Sequence, residues 1–245
     1  MYNEDKYTAC PPSSAAENVV PAGGSLVNSF LNRVFSWMFA GLAATGGISW
    51  YLGNYWTEKI IEYHSIYWIL ALLEVLLVVA LSAGIRKFSP VVAALLFAVF
   101  AIFNGVTLSW LFLRYDISVI TKAFCSASLT FGVMGLFGYT TKVNLASVGS
   151  LCGMGLIGLV IASVINFFWY NRMADIVISC IGVLIFVGLT AYDVQKLKRL
   201  ATEMSGSGSS PREVKKYAIL GALELYLDFI NTFLFMVHLF NGGRR

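Results

Sequence analysis

Four acidic side chains interrupt apolar segments of this sequence, at Glu74, Asp193, Glu224 and Asp228. A charged side chain at the centre of a bilayer costs about 2.5–3.5 kcal/mol on insertion scales. The apolar runs that carry these acids contain no lysine or arginine. Buried carboxylates without a fixed cation either hold protons or bind cations. The pattern therefore indicates proton or cation chemistry. The alternative, that the acids are neutral, hydrogen-bonded packing residues, stays open, above all for Asp193 near a helix end.

Polar residues in the last apolar segment recur at helical spacing, at Glu224, Asp228, Asn231 and His238, with Phe235 in the same series. Spacings of four and three residues place side chains on one face of a helix. Such a polar face cannot lie against lipid, so it must face the interior of a bundle or a water-filled cavity. This predicts a central last helix with the other helices wrapped around it.

The composition is that of an integral membrane protein. Of 245 residues, 58% are hydrophobic and 12% are charged, and the mean hydropathy is +0.75. A soluble domain carries about 25% charged residues. The net charge of +4 gives no indication of nucleic-acid binding. The four cysteines form no CxxC motif and predict neither a metal site nor a disulfide framework.

Motifs of catalysis are absent from the sequence. It contains no HExxH, GxSxG or Walker loop. An intramembrane aspartyl protease would place an Asp in a GxGD motif, whereas Asp193 follows Ala-Tyr and Asp228 follows Tyr-Leu. We therefore predict a protein that is not an enzyme and that has no cofactor.

Seven apolar runs are each close to the ~20 residues that a helix needs to cross a bilayer. They lie at about 34–53, 66–85, 90–112, 118–140, 147–169, 174–193 and 217–240. Because unpaired backbone is excluded from the hydrocarbon, we predict an all-α membrane protein with seven transmembrane helices, six of them around the C-terminal one. Residues 1–33 are predicted to be a polar, flexible tail, 34–245 the membrane domain, and 194–216 a polar linker.

The distribution of basic residues predicts the orientation. With the N-terminus in the cytoplasm, eleven of the 17 Lys and Arg fall inside: Lys6, Arg33, Arg86, Lys87, Lys142, Lys196, Lys198, Arg199, Arg212, Lys215 and Lys216. The other six fall outside. Arg244 and Arg245 at the end disagree with this arrangement, so a re-entrant last segment stays open.

Several segments resemble the Bax inhibitor family of membrane proteins. ALELYLDFINTFLFMVHLF resembles the C-terminal signature of that family, and the resemblance extends to LEV, NGVTLS, GYTTKVNLASVGS and GLTAYDVQKLK. GALELYLDFIN and GYTTKV are most similar to its bacterial inner-membrane branch. The resemblance implies a seven-helix bundle with the last helix in the core.

The resemblance also implies roles for individual residues. Asp193 and Asp228 match a proton-sensing pair associated with pH-dependent calcium leak, and they are the candidate calcium ligands. Glu74 matches an acid implicated in the pore. A basic latch residue matches Arg86, with Lys87 as the alternative. Glu224 and Asn231, from the polar face, are assigned to the ion path. Glu224 and His238 depart from the family pattern.

The sequence thus predicts a pH-sensitive leak channel for calcium or another cation, in the bacterial inner membrane, with a cytoplasmic N-terminus. Flux is expected to vary between about pH 6 and 8. The alternative is a non-conducting regulatory protein that modulates a membrane protease or another partner. In either case the lipid bilayer is a partner and nucleic acid is not.

Overall fold

The structure, a computed structural model, describes residues 23–62, 64–84 and 88–242. Within these ranges the chain is helical and contains no strand. The helices are α1 (Gly23–Tyr55), α2 (Thr57–Glu62), α3 (His64–Gly84), α4 (Pro90–Leu108), α5 (Trp110–Arg114), α6 (Ile117–Thr140), α7 (Ala146–Phe168), α8 (Arg172–Ser207) and α9 (Pro211–Gly242).

Five helical stretches are long and apolar enough to cross a membrane, and Ile69–Ser82 is a shorter apolar helix. The five are Pro90–Arg114, Ile117–Thr140, Ala146–Phe168, Arg172–Ser207 and Pro211–Asn241. The predicted all-α membrane fold is confirmed. The count of seven spans stays a prediction, because neither α1 nor the whole of α3 is among the five.

Helix α9 is the most buried of these five helices. Within its most apolar window 67% of the residues are buried, against 17–33% for the other four. It packs against α1, α4, α6 and α8, while α3 and α7 pack chiefly on α4 and α8. Small residues such as Ala218 and Ala222, both fully buried, allow this close packing. Four helices therefore surround α9 extensively, and the arrangement of six around it stays a prediction.

Two predicted segment boundaries are wrong. Helix α1 begins at Gly23, not at 34, because Val27, Phe30, Leu31 and Val34 recur at helical spacing and are buried in the core. Residues 23–33 are thus not a flexible tail, and 1–22 lie outside the described residues.

The predicted linker 194–216 is mostly helix. Helix α8 continues to Ser207, because Leu197, Ala201 and Met204 form a buried face beneath the polar residues. The helix ends at Gly208, whose φ of 65° is left-handed and suits glycine. The connection between α8 and α9 is therefore only three residues, 208–210, so the two helices run antiparallel in close contact.

The last helix has no break. Its 32 residues correspond to about 48 Å at 1.5 Å per residue, enough to cross a bilayer. A re-entrant segment would need a turn, and α9 contains none. Arg244 and Arg245, which motivated that alternative, lie outside the described residues, as do the latch candidates Arg86 and Lys87.

Candidate functional site

The interface between α8 and α9 brings two of the predicted acids together. Asp193 on α8 and Asp228 on α9 lie close enough for their carboxyl groups to interact electrostatically. Asp228 is 5% exposed, and its Oδ2 receives no hydrogen bond from any described residue. Two ionised carboxylates offer no donor, so a hydrogen bond between them requires a proton on one of them. The two acids that the sequence analysis paired therefore lie together at the α8–α9 interface, with Asp228 buried.

A lysine lies one helical turn from this pair. Lys196 Nζ contacts both carboxylate oxygens of Glu224, at 2.9 and 3.0 Å, and lies 3.7 Å from Asp193 Oδ1. The side chain of Lys196 is 43% exposed and that of Glu224 28%. Since exposed ion pairs contribute little to stability, the Lys196–Glu224 pair matters mainly because it places a positive and a negative charge beside the two aspartates.

The remaining positions of the polar face also lie toward α8. Phe235 stacks on Phe186, with ring centroids 6.0 Å apart. His238 Nδ1 lies 3.6 Å from Asp175 Oδ1, near the start of α8. Asn231 donates to the Leu227 carbonyl of its own helix and lines a cavity of about 490 Å³ between α7, α8 and α9. The polar face of α9 is therefore turned toward α8, with Asp228 its buried member and His238 43% exposed.

Glu74 belongs to a separate network. Its Oε1 accepts a hydrogen bond from Thr107 Oγ1 at 2.6 Å, and its Oε2 accepts one from Asn104 Nδ2 at 3.1 Å. Asn104 Oδ1 in turn accepts from the Tyr226 hydroxyl on α9 at 3.1 Å. That hydroxyl lies 2.7 Å from the hydroxyl of Thr45 on α1. The network therefore joins α1, α3, α4 and α9, and both oxygens of Glu74 have donors.

The two clusters lie on different faces of α9. Tyr226 and Asp228 are two residues apart, which is about 200° around a helix. No hydrogen bond or ion pair among the described residues joins Glu74 to Glu224, Asn231 or the aspartate pair. The residues assigned to one ion path are thus divided between the α8–α9 interface and the α3–α4 interface.

Sequence reasoning places the basic cluster Lys196–Arg199 within reach of Asp193, and Lys196 does lie beside it, but it missed the contact of Lys196 with Glu224 and the roles of Asp175 and Tyr226. Lys196 lies three residues after Asp193, a spacing that places both on one helix face, so it was a detectable neighbour of the pair. No pattern in the sequence distinguishes Asp175 from the other polar residues at the start of α8. Tyr226 was treated as one of many aromatics, and its position two residues from Asp228 does not reveal a partner across the bundle.

The described residues include no group of three or more His, Cys, Asp or Glu side chains arranged to hold a metal ion. Calcium takes six to eight oxygen ligands, and the aspartate pair supplies at most four. A calcium ion at the pair would therefore keep much of its water.

The comparisons with known proteins assign the family. The family described as "Inhibitor of apoptosis-promoting Bax1" matches residues 27–245. The chain belongs to the Bax inhibitor family. Relatives cover almost the same length of chain. The inner membrane protein YbhL of Escherichia coli K12 is 38% identical over 93% of this chain and 96% of its own.

An uncharacterized protein of Deinococcus radiodurans is 38% identical over 88% of this chain and 91% of its own. One from Borreliella burgdorferi is 37% identical over 89% and 93%. The predicted family and its bacterial inner-membrane branch are confirmed by these matches. This Bax inhibitor family protein is an integral membrane protein, similar over nearly its whole length to an inner membrane protein.

Proposed function

We propose that this protein passes cations, with calcium as the ion, across the bacterial inner membrane, and that Asp193 and Asp228 control the path through their protonation. One observation carries the proposal: Asp228 Oδ2 is buried beside Asp193 and has no donor from any described residue. Glu74, by contrast, has a donor for each oxygen. A buried carboxylate that lacks donors is stabilised by a proton or by a cation. Protons and cations then compete for the same place.

Loss of the shared proton would change the α8–α9 interface. Two carboxylates about 4 Å apart repel by roughly 4 kcal/mol at an effective dielectric constant of 20. A cation between Asp193 and Asp228 relieves this repulsion, as does separation of the helices. A third route is movement of Lys196 from Glu224 toward Asp193, from which it is only 3.7 Å away. On the α7 side, Cys152 lies near enough to Asp228 for the two groups to interact electrostatically.

The interface thus has the parts of a two-state switch biased by protonation. In the protonated state the hydrogen bond between Asp193 and Asp228 joins α8 to α9. In the deprotonated state a cation or Lys196 takes the place of the proton. We further propose that Glu224 and Asn231, on the same face of α9, line the path, and that the Glu74 network forms a second polar part of it. Arg86 and Lys87 remain the latch residues that the family resemblance suggests.

Flux through liposomes tests the proposal. Purified protein would be reconstituted with a calcium-sensitive dye inside, and the external pH varied from about 6 to 8. We expect wild-type flux to vary with pH, and Asp193→Asn or Asp228→Asn to remove the variation. Glu203→Gln is the control, since it neutralises an exposed acid on the same helix, ten residues beyond Asp193. It should retain the pH response.

Other outcomes separate the parts of the proposal. A double Asp193→Asn, Asp228→Asn variant with the full pH response would contradict control by the pair. Folded wild-type protein that gives no calcium flux at any pH would contradict conduction and favour the regulatory alternative. Glu74→Gln is expected to fold and to change flux or ion selectivity. If it changes neither, Glu74 is a packing residue.

A further inference from the structure

A groove of mixed polarity lies at the end of the bundle where α4 and α9 begin. It is a cavity of about 960 Å³ between α1, α4 and α9, at the upper end of the ~300–1,000 Å³ typical of ligand sites. It is distant in sequence and position from the aspartate pair, because it is lined by the first turns of α9 rather than by its middle. Its residues belong to neither of the two polar clusters.

One half of the groove is basic. Its charged residues are Arg33 from α1 and Arg212, Glu213, Lys215 and Lys216 from the first turns of α9. Arg33, Arg212 and Lys215 are exposed to the groove and to solvent.

The single acid, Glu213, is engaged by its own helix end. Its Oε2 accepts hydrogen bonds from Ser210 N at 3.1 Å and Ser210 Oγ at 3.3 Å, a capping box. Three exposed basic residues, Arg33, Arg212 and Lys215, thus accompany one carboxylate that already serves as a cap. The groove is strongly positive, and an anion is its electrostatic complement.

The other half of the groove is apolar and continues onto the lipid-facing surface. Trp37 from α1 and Ala94, Leu95 and Ala98 from α4 line it. Leu95 is 60% exposed and its neighbour Val91 is 68% exposed, on a helix that is apolar enough to cross the membrane. In a bilayer this wall is covered by acyl chains, so the groove is open to lipid from the side.

We propose that this groove binds one anionic phospholipid, with the phosphate between Arg33 and the basic first turns of α9 and an acyl chain along α4. A free phosphate would satisfy the basic half alone and leave the apolar wall unused. Basic grooves between membrane helices on the cytoplasmic side commonly hold anionic headgroups, and the distribution of basic residues predicts that this end is cytoplasmic. The bound lipid joins α1, α4 and α9 at one end of the bundle. This binding does not depend on whether the protein conducts cations.

Native mass spectrometry of the protein in detergent tests the lipid site. Titration with palmitoyl-oleoyl phosphatidylglycerol should give one tightly bound lipid, whereas the zwitterionic phosphatidylcholine with the same chains should bind much more weakly. Removing a basic side chain near the headgroup should weaken binding roughly fivefold. The double variant Arg33→Gln, Lys215→Gln should therefore bind phosphatidylglycerol about 30-fold more weakly.

A matched control removes the same charge at the same end of the bundle. Lys142 and Arg199 are exposed and line a different cavity, between α8 and the connection from α6 to α7. The variant Lys142→Gln, Arg199→Gln should bind phosphatidylglycerol as the wild type does. If it loses as much affinity as the Arg33, Lys215 variant, overall charge rather than the groove sets binding, and the proposal is overturned.

Two further arms separate a lipid from a free anion. Inorganic phosphate in large excess should displace little phosphatidylglycerol. Ala98→Trp, which fills the apolar half, should weaken lipid binding while leaving the basic half intact. Equal binding of both lipids by the wild type, full displacement by phosphate, or no effect of Ala98→Trp would each overturn the proposal. The comparison of the two lipids needs no variant, so it holds even if a substituted protein fails to fold.

Discussion

The contact between α6 and α8 depends on the absence of a side chain at Gly138. A Cβ atom placed there would collide with the Ala191 carbonyl oxygen, and it would lie 2.9 Å from both the carbonyl carbon and the Cα of that residue. Ordinary contact begins at 3.4 Å, so Gly138→Ala forces the helices apart by about 0.5 Å or more. The obstacle is backbone, which cannot rotate away as a side chain can.

The size of the effect follows from two opposing contributions. Overpacking costs about 1–3 kcal/mol, and the upper end applies because the obstacle is the backbone of Ala191. The better helix propensity of alanine offsets up to about 1 kcal/mol. The net loss is about 2 kcal/mol. At roughly 2–4 °C per kcal/mol for a chain of this size, the Tm should fall by about 4–8 °C.

Gly132→Ala is the matched control on the same helix. No atom of the described chain lies within 4 Å of a Cβ at that position, and the residue is exposed. Only the propensity gain remains, so the Tm should stay constant or rise by up to about 4 °C. Thermal unfolding of both variants in the same detergent gives the comparison. Equal Tm values for Gly138→Ala and Gly132→Ala would refute the close backbone contact between α6 and α8.

Three further predictions concern other parts of the fold. Tyr226→Phe removes the hydroxyl that connects α9 to α1 and α4. At ~0.6 kcal/mol for each of two hydrogen bonds in a membrane protein, the Tm should fall by about 2–5 °C. An unchanged Tm would contradict the network. Gly208→Ala places a side chain in the left-handed region and should cost about 1–2 kcal/mol, seen as a lower Tm. Gly206→Ala lies inside α8 with open space for its Cβ and should leave the Tm constant or raise it; equal effects would contradict the cap. A cysteine introduced at Asn241 should be labelled by an impermeant reagent only from the side opposite the N-terminus, and labelling from the same side would contradict a spanning α9.

The polar face of α9 was predictable because a helix repeats every 3.6 residues and lipid tolerates few charges. That reasoning places Asp228 and Glu224 toward the interior without knowledge of any other helix. The partner of Glu224 was not predictable in the same way, because Lys196 lies 28 residues earlier and the pairing depends on how α8 and α9 slide along each other. The division between the Glu74 network and the aspartate pair depends on the same unknown placement.

The predicted segment boundaries are wrong where a helix continues beyond the hydrocarbon. A polar stretch after a membrane span was interpreted as a linker, although Leu197, Ala201 and Met204 recur at helical spacing within it. Hydropathy measures the part of a helix that contacts lipid. It does not detect a helix that continues beyond the membrane and packs on a neighbour by one apolar face. The same reason explains the early start of α1 at Gly23.

The buried position of α9 has a consequence for biosynthesis. Helix α9 comes after α1, α4, α6 and α8 in the sequence, and it packs against all four. These four helices therefore leave the ribosome before α9 has been synthesised. Asp193 precedes Asp228 by 35 residues, which at about 5–20 residues per second is a delay of roughly 2–7 s. During that interval Asp193, Lys196 and Asn104 lack their α9 partners. We expect the nascent chain to stay beside the insertion machinery until α9 is complete, since release into lipid would expose polar side chains that only the finished bundle covers.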